Sequence, residues 1–538
     1  MSKPKIPNQK KKYQELNSRL NRYVALVEQI YDTLNLEAAK AVLRTDYSAD
    51  SDKPFKWSDY PQTRKQIADI QMQFVDDIHS VIYRGTSEEW KNSNEVQDLI
   101  ADKVLQAYDA IVDKKKYTVL YQTNSDALKA FQSRKDKGFN ISDKLWNQST
   151  IYKEELEAAI SCAIQKGTSA VTLSKQISKY LLDFPSLQKD YKEKYGSAKH
   201  LKDCEYRSIR LARSEINMAY RTAENERWKQ MDFVVGYEIK LSGNHHHRMP
   251  HGDICDMLAG RYPKDFVWTG WHPNDLCYKI PILKTEEEFW EWDGLSDVST
   301  ESINEIKNVP DEFKKWVIEN QQKIEKARKR NTLPYFLRDN KSIIQNINTE
   351  NSAKEITNRA SLVGNEVQSL AESIAQKNNG FVTPVNYKSV SSIIRKVTTE
   401  GITPYDIKDA VRTTIIVPRS RIEQVLNELF GSEPFVRLKR QRPESFMGYS
   451  GNIVNIKTSG GLTAEIQVNT EHMIYAKEKP EDAKRILGEK RWKEIQEQTG
   501  MEGGLGHKYY EEWRVLDKAD KKAQKIAEKS IEYYSHFQ

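Results

Sequence analysis

The sequence predicts a multidomain protein: a mainly α-helical N-terminal part, a small Cys/His-containing α+β module, then an α+β domain with a mixed sheet flanked by helices. Three observations carry this. Apolar residues recur at helical spacing through the first half of the chain. His, Cys, Trp, Pro and Gly crowd into one irregular stretch after Gly243. Beyond about residue 350 short runs of alternating and β-branched residues suit strands. At 538 residues the chain is too long for one compact core.

The elements follow in order. Residues 9–44 carry an apolar stripe through Leu16, Leu20, Tyr23, Val24, Val27, Ile30 and Tyr31, and the pattern returns over 61–84, 95–112 and 150–182. Arg207 to Asp232 reads as one long helix, and VVGYEIKLSG then alternates like a strand that Gly243 ends. Residues 285–330 are helical and charged, leading into the basic, proline-bearing KARKRNTLPYFLRDNKS, an exposed connector. A helix over 353–377, a short strand, a second helix, strands at TTIIV, NIVNIKT and LTAEIQV, and closing helices follow. The expected organisation is 1–200 helical, 201–285 the Cys/His module, 286–350 a charged connector and 351–538 the α+β domain, with the main break near 340–352.

Composition excludes several classes. With 84 basic and 77 acidic residues the net charge of +7 is a mild bias spread along the chain, not a DNA-binding stripe. Mean hydropathy is -0.76, and no apolar stretch approaches the roughly 18 residues of a membrane span, so a soluble protein with no membrane partner is expected. The start, MSKPKIPNQKKKYQ, has no apolar run behind its charge and reads as a basic tail, not a secretory signal. Four cysteines do not make a disulfide framework; they suggest a reducing compartment or chemistry at one site.

In the middle module, Cys255, His272 and Cys277 suit three ligands of one tetrahedral Zn²⁺, with Asp253, His251 or one of His245 to His247 as the fourth. Buried cysteines beside surface histidines account for the same residues. The helix Ala212 to Glu215 (Ala-Arg-Ser-Glu), the Cys-x-x-x-x-Gly segment Cys255 to Gly260 and His-Pro-x-x-x-Cys from His272 to Cys277 resemble the Mu F-like minor head proteins of tailed phages. Asp275 and Leu276 are two residues more than the His-Pro-Asn-Cys common in that family. The resemblance implies a structural role with portal and capsid proteins, packaged DNA near the basic tail, and a location in the virion and the host cytoplasm.

Four features fall in order in the last third. Lys388, Ser392, Arg395 and Lys396 lie at helical spacing and suit either a triphosphate-binding face or a solvated one. Asp409 precedes the strand AVRTTIIV with Arg412 inside it, a salt bridge or a Mg²⁺ ligand beside a phosphate clamp. Arg437, Lys439, Arg440 and Arg442 lead to Phe446-Met447-Gly448-Tyr449-Ser450-Gly451, where flanking glycines free a tyrosine ring for base stacking, or simply turn the chain around a core tyrosine. Finally Ser459-Gly460-Gly461 joins two strands as a hairpin. The period of two on the second strand puts Leu462, Ala464, Ile466 and Val468 on one face and Thr463, Glu465, Gln467 and Asn469 on the other. A lone acid flanked by amides is a poor solubility face.

Lys388-x-x-x-Ser392-Ile393-x-Arg395-Lys396, Asp409 with Arg412, Gly448-Tyr449-x-Gly451, Glu465-Ile466-Gln467-Val468-Asn469-Thr470 and His507-x-x-Tyr510, in this order, resemble the synthetase domain of the RelA/SpoT family over about 380–515. That family moves pyrophosphate from ATP to the 3′-hydroxyl of an acceptor, usually GDP or GTP, in some toxin members an adenosine nucleotide or a tRNA end. The resemblance implies that Lys388, Ser392, Arg395, Lys396 and Arg412 grip ATP phosphates. By the same resemblance Asp409 and Glu465 would hold Mg²⁺, and Glu465 with Gln467 would serve the attacking hydroxyl. Tyr449, with Gly448, Asn469 and His507, would by that resemblance meet the acceptor. Asn452 stands where the family has His and Asn469 where EIQIRT has Arg, which leaves the acceptor open. With no hydrolase domain ahead of it and no long tail behind, the domain resembles the toxic members. The expectation is therefore a minor head protein carrying a RelA/SpoT-like toxin; the alternatives are a head protein whose C-terminal fold only binds nucleotide or RNA, and a stand-alone synthetase with a helical regulatory half.

Overall fold

The computed structural model describes residues 4–48, 51–108, 115, 117–165, 168–243, 245–291, 301–445, 447–517 and 520–538. The first residues of the basic tail, residues 109–112 of the stretch read as helix over 95–112, residues 292–300 of the charged connector, and Phe446 lie outside the described residues. The chain divides into two compact units, Met1–Ile344 and Gln345–Gln538, and the division falls within the helix Lys341–Lys377.

The first unit is built on helices Gln9–Val42, Arg64–Ala107, Ile141–Ala163, Ala170–Leu182 and Cys204–Gln230. Their apolar stripes meet in a core that includes Val27, Tyr31, Phe74, Tyr152 and Leu156. Tyr152 stacks on Phe74 at 5.0 Å and meets Tyr31 edge-on at 5.1 Å. The two helices expected over 61–84 and 95–112 are one helix of 44 residues. The apolar stripe lapses in RGTSEEWKNSNE because polar residues take over the packing face. Glu89 is fully buried and receives both Nε and Nη2 of Arg19, each at 2.7 Å, and Asn94 accepts from Arg227 at 2.9 Å. Periodicity of apolar residues is blind to a helix that packs through ion pairs.

Strands β1 (Val234–Lys240), β2 (Gly260–Tyr262) and β3 (Tyr278–Leu283) form a small antiparallel sheet in the order β2-β1-β3. The expected strand after the long helix is β1, and the irregular His/Cys/Trp stretch connects β1, β2 and β3.

The second unit holds β4 (Phe381–Val382), β5 (Asn386–Tyr387), β6 (Val411–Ile416), β7 (Phe435–Gln441), β8 (Gly451–Lys457) and β9 (Thr463–Asn469). Their order is β4-β6-β9-β8-β7, with β5 also paired to β6. Only β6 and β9 run parallel among these pairs, so the sheet is mixed as expected. Ala464, Ile466 and Val468 are fully buried and join Val411, Ile415, Leu426, Val454 and residues of the helix Lys341–Lys377 in one core. A buried Ile or Val contributes about 1.5–3 kcal/mol by leaving water, which fixes the register of β9. A second cluster of Met473, Tyr475, Trp492, Tyr533, Tyr534 and Phe537 ties the closing helices together. β7 was not anticipated. Its sequence FVRLKRQ is crowded with cations because it is the edge strand, where charge blunts further pairing.

Candidate active site

The hairpin β8–β9 is pinned at its turn from outside the sheet. The turn backbone of Ser459 donates to Glu366 at 3.0 Å and 3.2 Å, and Arg359 Nη2 donates to the carbonyl of Gly460 at 2.6 Å, both from the helix Lys341–Lys377. Gly461 carries φ of 75°, the left-handed region this turn needs.

Paired residues on adjacent strands point to the same side of the sheet. The register pairs Arg412 of β6 with Glu465 of β9, Glu465 with Asn455 of β8, and Asn455 with Arg437 of β7. The polar face therefore carries a row Arg412, Glu465, Asn455, Arg437 across four strands. Asn455 is buried and accepts from Arg437 Nε at 3.2 Å and Nη2 at 3.0 Å. Among the described residues the side chain of Arg412 makes no hydrogen bond or ion pair, so its guanidinium is available to an anion. The face is no ordinary wet surface, since Gln467 is 8% exposed and Asn469 is 2% exposed.

Two side-chain arrangements organise that face. Gln467 Nε2 donates to Glu465 Oε1 at 2.7 Å, and Lys477 Nζ, at the end of helix Glu471–Lys477, donates to Gln467 Oε1 at 3.0 Å. Asn469 Nδ2 donates to the hydroxyl of Tyr449 at 2.9 Å. The Tyr449 ring meets Tyr534 edge-on at 5.6 Å and has Lys477 Nζ 5.6 Å from its centroid. Of the two arrangements the sequence allowed, a ring free of its own backbone or a turn around a packed tyrosine, the ring adopts the second. A Cβ on Gly451 would lie 2.5 Å from Tyr449 Oη, so the glycine is there to let the ring fold across it. Gly448, at φ of 84°, admits the helix Lys521–Ser535, because a Cβ there would sit 2.6 Å from Ile531 Cα.

The cations expected on one helix face divide. The helix is Val390–Glu400 with Ser389 as its N-cap, so Lys388 lies just outside it, directly after β5. The spacing misled because a strand end and a helix start converge on one acid. Lys388 Nζ donates to Asp409 Oδ2 at 2.7 Å and Lys396 Nζ to Asp409 Oδ1 at 3.1 Å. Burial alone would raise the Asp409 pKa, but the two lysines prevail and hold the carboxyl below its usual value. Ser392 is engaged in the cap, its N–H donating to Ser389 Oγ at 3.3 Å, while Arg395 is exposed.

A cavity of about 540 Å³ gathers Arg412, Gln467, Tyr449 and His507 with Lys477 and Tyr510. Glu465 adjoins it through Gln467. Asp409, Lys388 and Lys396 are not among the residues that line it; Asp409 stands three residues ahead of Arg412, the cross-strand partner of Glu465.

In the first unit, Cys255 is the hub of the His/Cys segment. His245, Cys255 and Cys277, all buried, bring one ligand atom each within 4.8 Å of one another, as do Asp253, Cys255 and His272. Cys255 Sγ lies 3.2 Å from His272 Nε2, which is also 3.2 Å from Asp253 Oδ2. Hydrogen bonding with Cys277, then burial, push the Cys255 thiol pKa upward. Asp275, one of the two extra residues, is 1% exposed and shapes the loop. Its carboxylate accepts from the N–H of Trp271 and of Cys277, each at 2.7 Å. Arg221 of helix Cys204–Gln230 donates to the carbonyls of Asp275 at 2.8 Å and Cys277 at 2.9 Å.

No family model matches the chain. Over 170 residues, 31% of the chain, it is 38% identical to the (p)ppApp synthetase toxin Tas1 of Pseudomonas aeruginosa strain UCBPP-PA14. About a third of the chain is homologous to Tas1. The match spans 38% of the length of Tas1. The crystal structure of the Type VI effector Tas1 with its immunity protein is 34% identical, covering 34% of this chain and 95% of that one at a TM-score of 0.32. The small alarmone synthetase 1 from Bacillus subtilis is 18% identical, covering 34% and 92% at a TM-score of 0.21. Lys477 and Asn455 carry no signal of their own in the sequence. Lys477 follows β9 on the next helix, and only its place in the fold brings it to Gln467.

Proposed function

We propose that the second unit is an ATP-dependent pyrophosphokinase of RelA/SpoT type, a toxin or effector acting on the 3′-hydroxyl of a nucleotide. The observation that carries this reading is the pairing of Glu465 with the uncommitted Arg412 across β6 and β9, beside a cavity lined by Gln467 and Tyr449. Kinship with a (p)ppApp synthetase favours an adenosine nucleotide as acceptor over GDP, GTP or a tRNA end.

Pyrophosphoryl transfer asks mainly for positioning and for cancellation of charge. The acceptor hydroxyl oxygen bonds to the β-phosphorus of ATP, the bond from that phosphorus to the bridging oxygen of the α-phosphate breaks, and AMP leaves. The hydroxyl proton goes to Glu465. Lys388, Lys396, Arg395, Ser392 and Arg412 grip the triphosphate, Tyr449 meets the acceptor base, and Gly448, Asn469 and His507 shape that end. The donor set suits Mg²⁺: among the described residues Glu465 Oε2 accepts no hydrogen bond, and Asp409 is an ionised acid whose lysines would turn to the phosphates. Glu465 and Asp409 would hold the ion, which when bound offsets charge on phosphate oxygens.

For the first unit the reading is a Mu F-like minor head protein, a partner of portal and capsid proteins with packaged DNA near the basic tail, present in the virion and then in the host cytoplasm. The cluster about Cys255 supports it, since its sulfur, nitrogen and carboxylate donors suit a structural Zn²⁺ held by Cys255 and Cys277 with His245, His272 or Asp253. Mass spectrometry of purified particles tests the head role, and absence of the chain from them counts against it.

The enzyme reading is tested by incubating the full chain with ATP labelled on the γ-phosphate and, in parallel, AMP, ADP, GDP, GTP and uncharged tRNA. Label on an adenosine nucleotide is expected. Label only on guanosine nucleotides or on tRNA would correct the acceptor, and label on none would remove the activity.

A further inference from the structure

We propose that Lys477 is a positioning residue of this site: it fixes the amide of Gln467 and, through it, one rotamer of Glu465. The inference rests on the pyrophosphokinase reading of the same residues. A glutamine amide has two ends of nearly equal shape and opposite hydrogen-bonding character, and its neighbours decide which way it points. Lysine only donates and an ionised carboxylate only accepts. Gln467 stands between one of each, with Oε1 3.0 Å from Lys477 Nζ and Nε2 2.7 Å from Glu465 Oε1. The reverse orientation would set NH₂ against ammonium and carbonyl against carboxylate, so both contacts would become repulsive.

Lys477 is itself held. Its Nζ lies 3.1 Å from Glu478 Oε1 and 5.6 Å from the centroid of the Tyr449 ring. The lysine therefore reaches the amide as a fixed charge and not as a waving surface side chain. The consequence for Glu465 is directional. Its Oε1 is committed to Gln467, which leaves Oε2 as the oxygen presented to a hydroxyl or a cation. Remove the lysine and the carbonyl end of the amide loses its anchor, so Gln467 is held only through Glu465 and no longer fixes the carboxylate in that pose.

The prediction is a kcat effect that travels through Gln467. In the full chain, Lys477→Met is expected to lower kcat for pyrophosphoryl transfer about 30-fold, as expected for a disturbed positioning contact, with KM for ATP changed less than about 3-fold. Lys477→Arg, which still donates, should recover most of the loss. Gln467→Met should lower kcat to a similar degree, and the double variant should be no worse than either single one, because the two changes break the same chain. Circular dichroism of each variant separates misfolding from mispositioning, and a misfolded Lys477→Met leaves the Arg and Gln467→Met variants to decide. An active wild type whose Lys477→Met variant keeps its kcat, or whose two changes multiply, would overturn the role of Lys477 alone. A wild type that transfers nothing to any acceptor would overturn the reading of the site and this role with it.

Discussion

Gln467 and Glu465 stand two residues apart on one face of β9, and the amide nitrogen of the first donates to the carboxylate of the second at 2.7 Å. Their contact is local, so it survives loss of the charge. Glu465→Gln is expected to lower transfer at least about 100-fold, since in the proposed reaction it removes both the proton acceptor and an ion ligand. The melting temperature should change little because Glu465 is only partly buried and outside the apolar core. Parallel initial rates and thermal melts check this.

Asp409 makes stability depend on acidity. Its pKa is lowered in the folded state from an ordinary value of 3.8. The stabilisation is fully present above the unfolded pKa and fades as pH falls through the lower folded value. Asp409→Asn should cost about 1–3 kcal/mol at neutral pH, as for a lost hydrogen-bonded charge. The gap between variant and wild type should narrow as pH falls below the ordinary value of 3.8. Urea unfolding at several pH values measures it; a gap that widens on acidification would contradict the assignment.

Gly448 tests the packing of the tyrosine turn. Its φ of 84° disfavours a side chain, and an added Cβ would meet the backbone of Ile531 at 2.6 Å. Gly448→Ala should destabilise the second unit by more than about 1 kcal/mol and reduce acceptor binding with it. Gly401, equally left-handed at φ of 64° but with open space around its Cβ, is the comparison, and its Ala variant should cost less.

Asn469 holds the hydroxyl of Tyr449 at 2.9 Å. Asn469→Ala should raise KM for the acceptor about 10-fold, the equivalent of one hydrogen bond, and leave KM for ATP nearly unchanged. Steady-state kinetics with each substrate varied in turn separates the two.

How much of this was legible in the sequence differs by residue. The alternation of β9 announced its two faces, because a strand with one buried face must show period two. The hairpin was readable from the turn residues Ser459-Gly460-Gly461, whereas the mixed sheet followed only from the resemblance to RelA/SpoT synthetases. The merged helix Arg64–Ala107 was not, since Glu89 and Asn94 pack through polar contacts. Lys388 was placed on a helix that begins after it, because sequence spacing cannot tell one helix face from a strand end that meets it. Lys477 and Asn455 were silent: a single lysine and a single asparagine acquire meaning only from the register that brings them to Gln467 and Glu465.

The central claim is that Glu465 and its surroundings perform pyrophosphoryl transfer. The most direct measurement is mass spectrometry of the nucleotides formed when the full chain is incubated with ATP, Mg²⁺ and an adenosine nucleotide, beside the Glu465→Gln protein. An adenosine nucleotide gaining pyrophosphate at its 3′-position, with AMP appearing in equal amount, and both reduced at least about 100-fold in the variant, is the predicted result. Formation of no such product, or equal formation by both proteins, would contradict it.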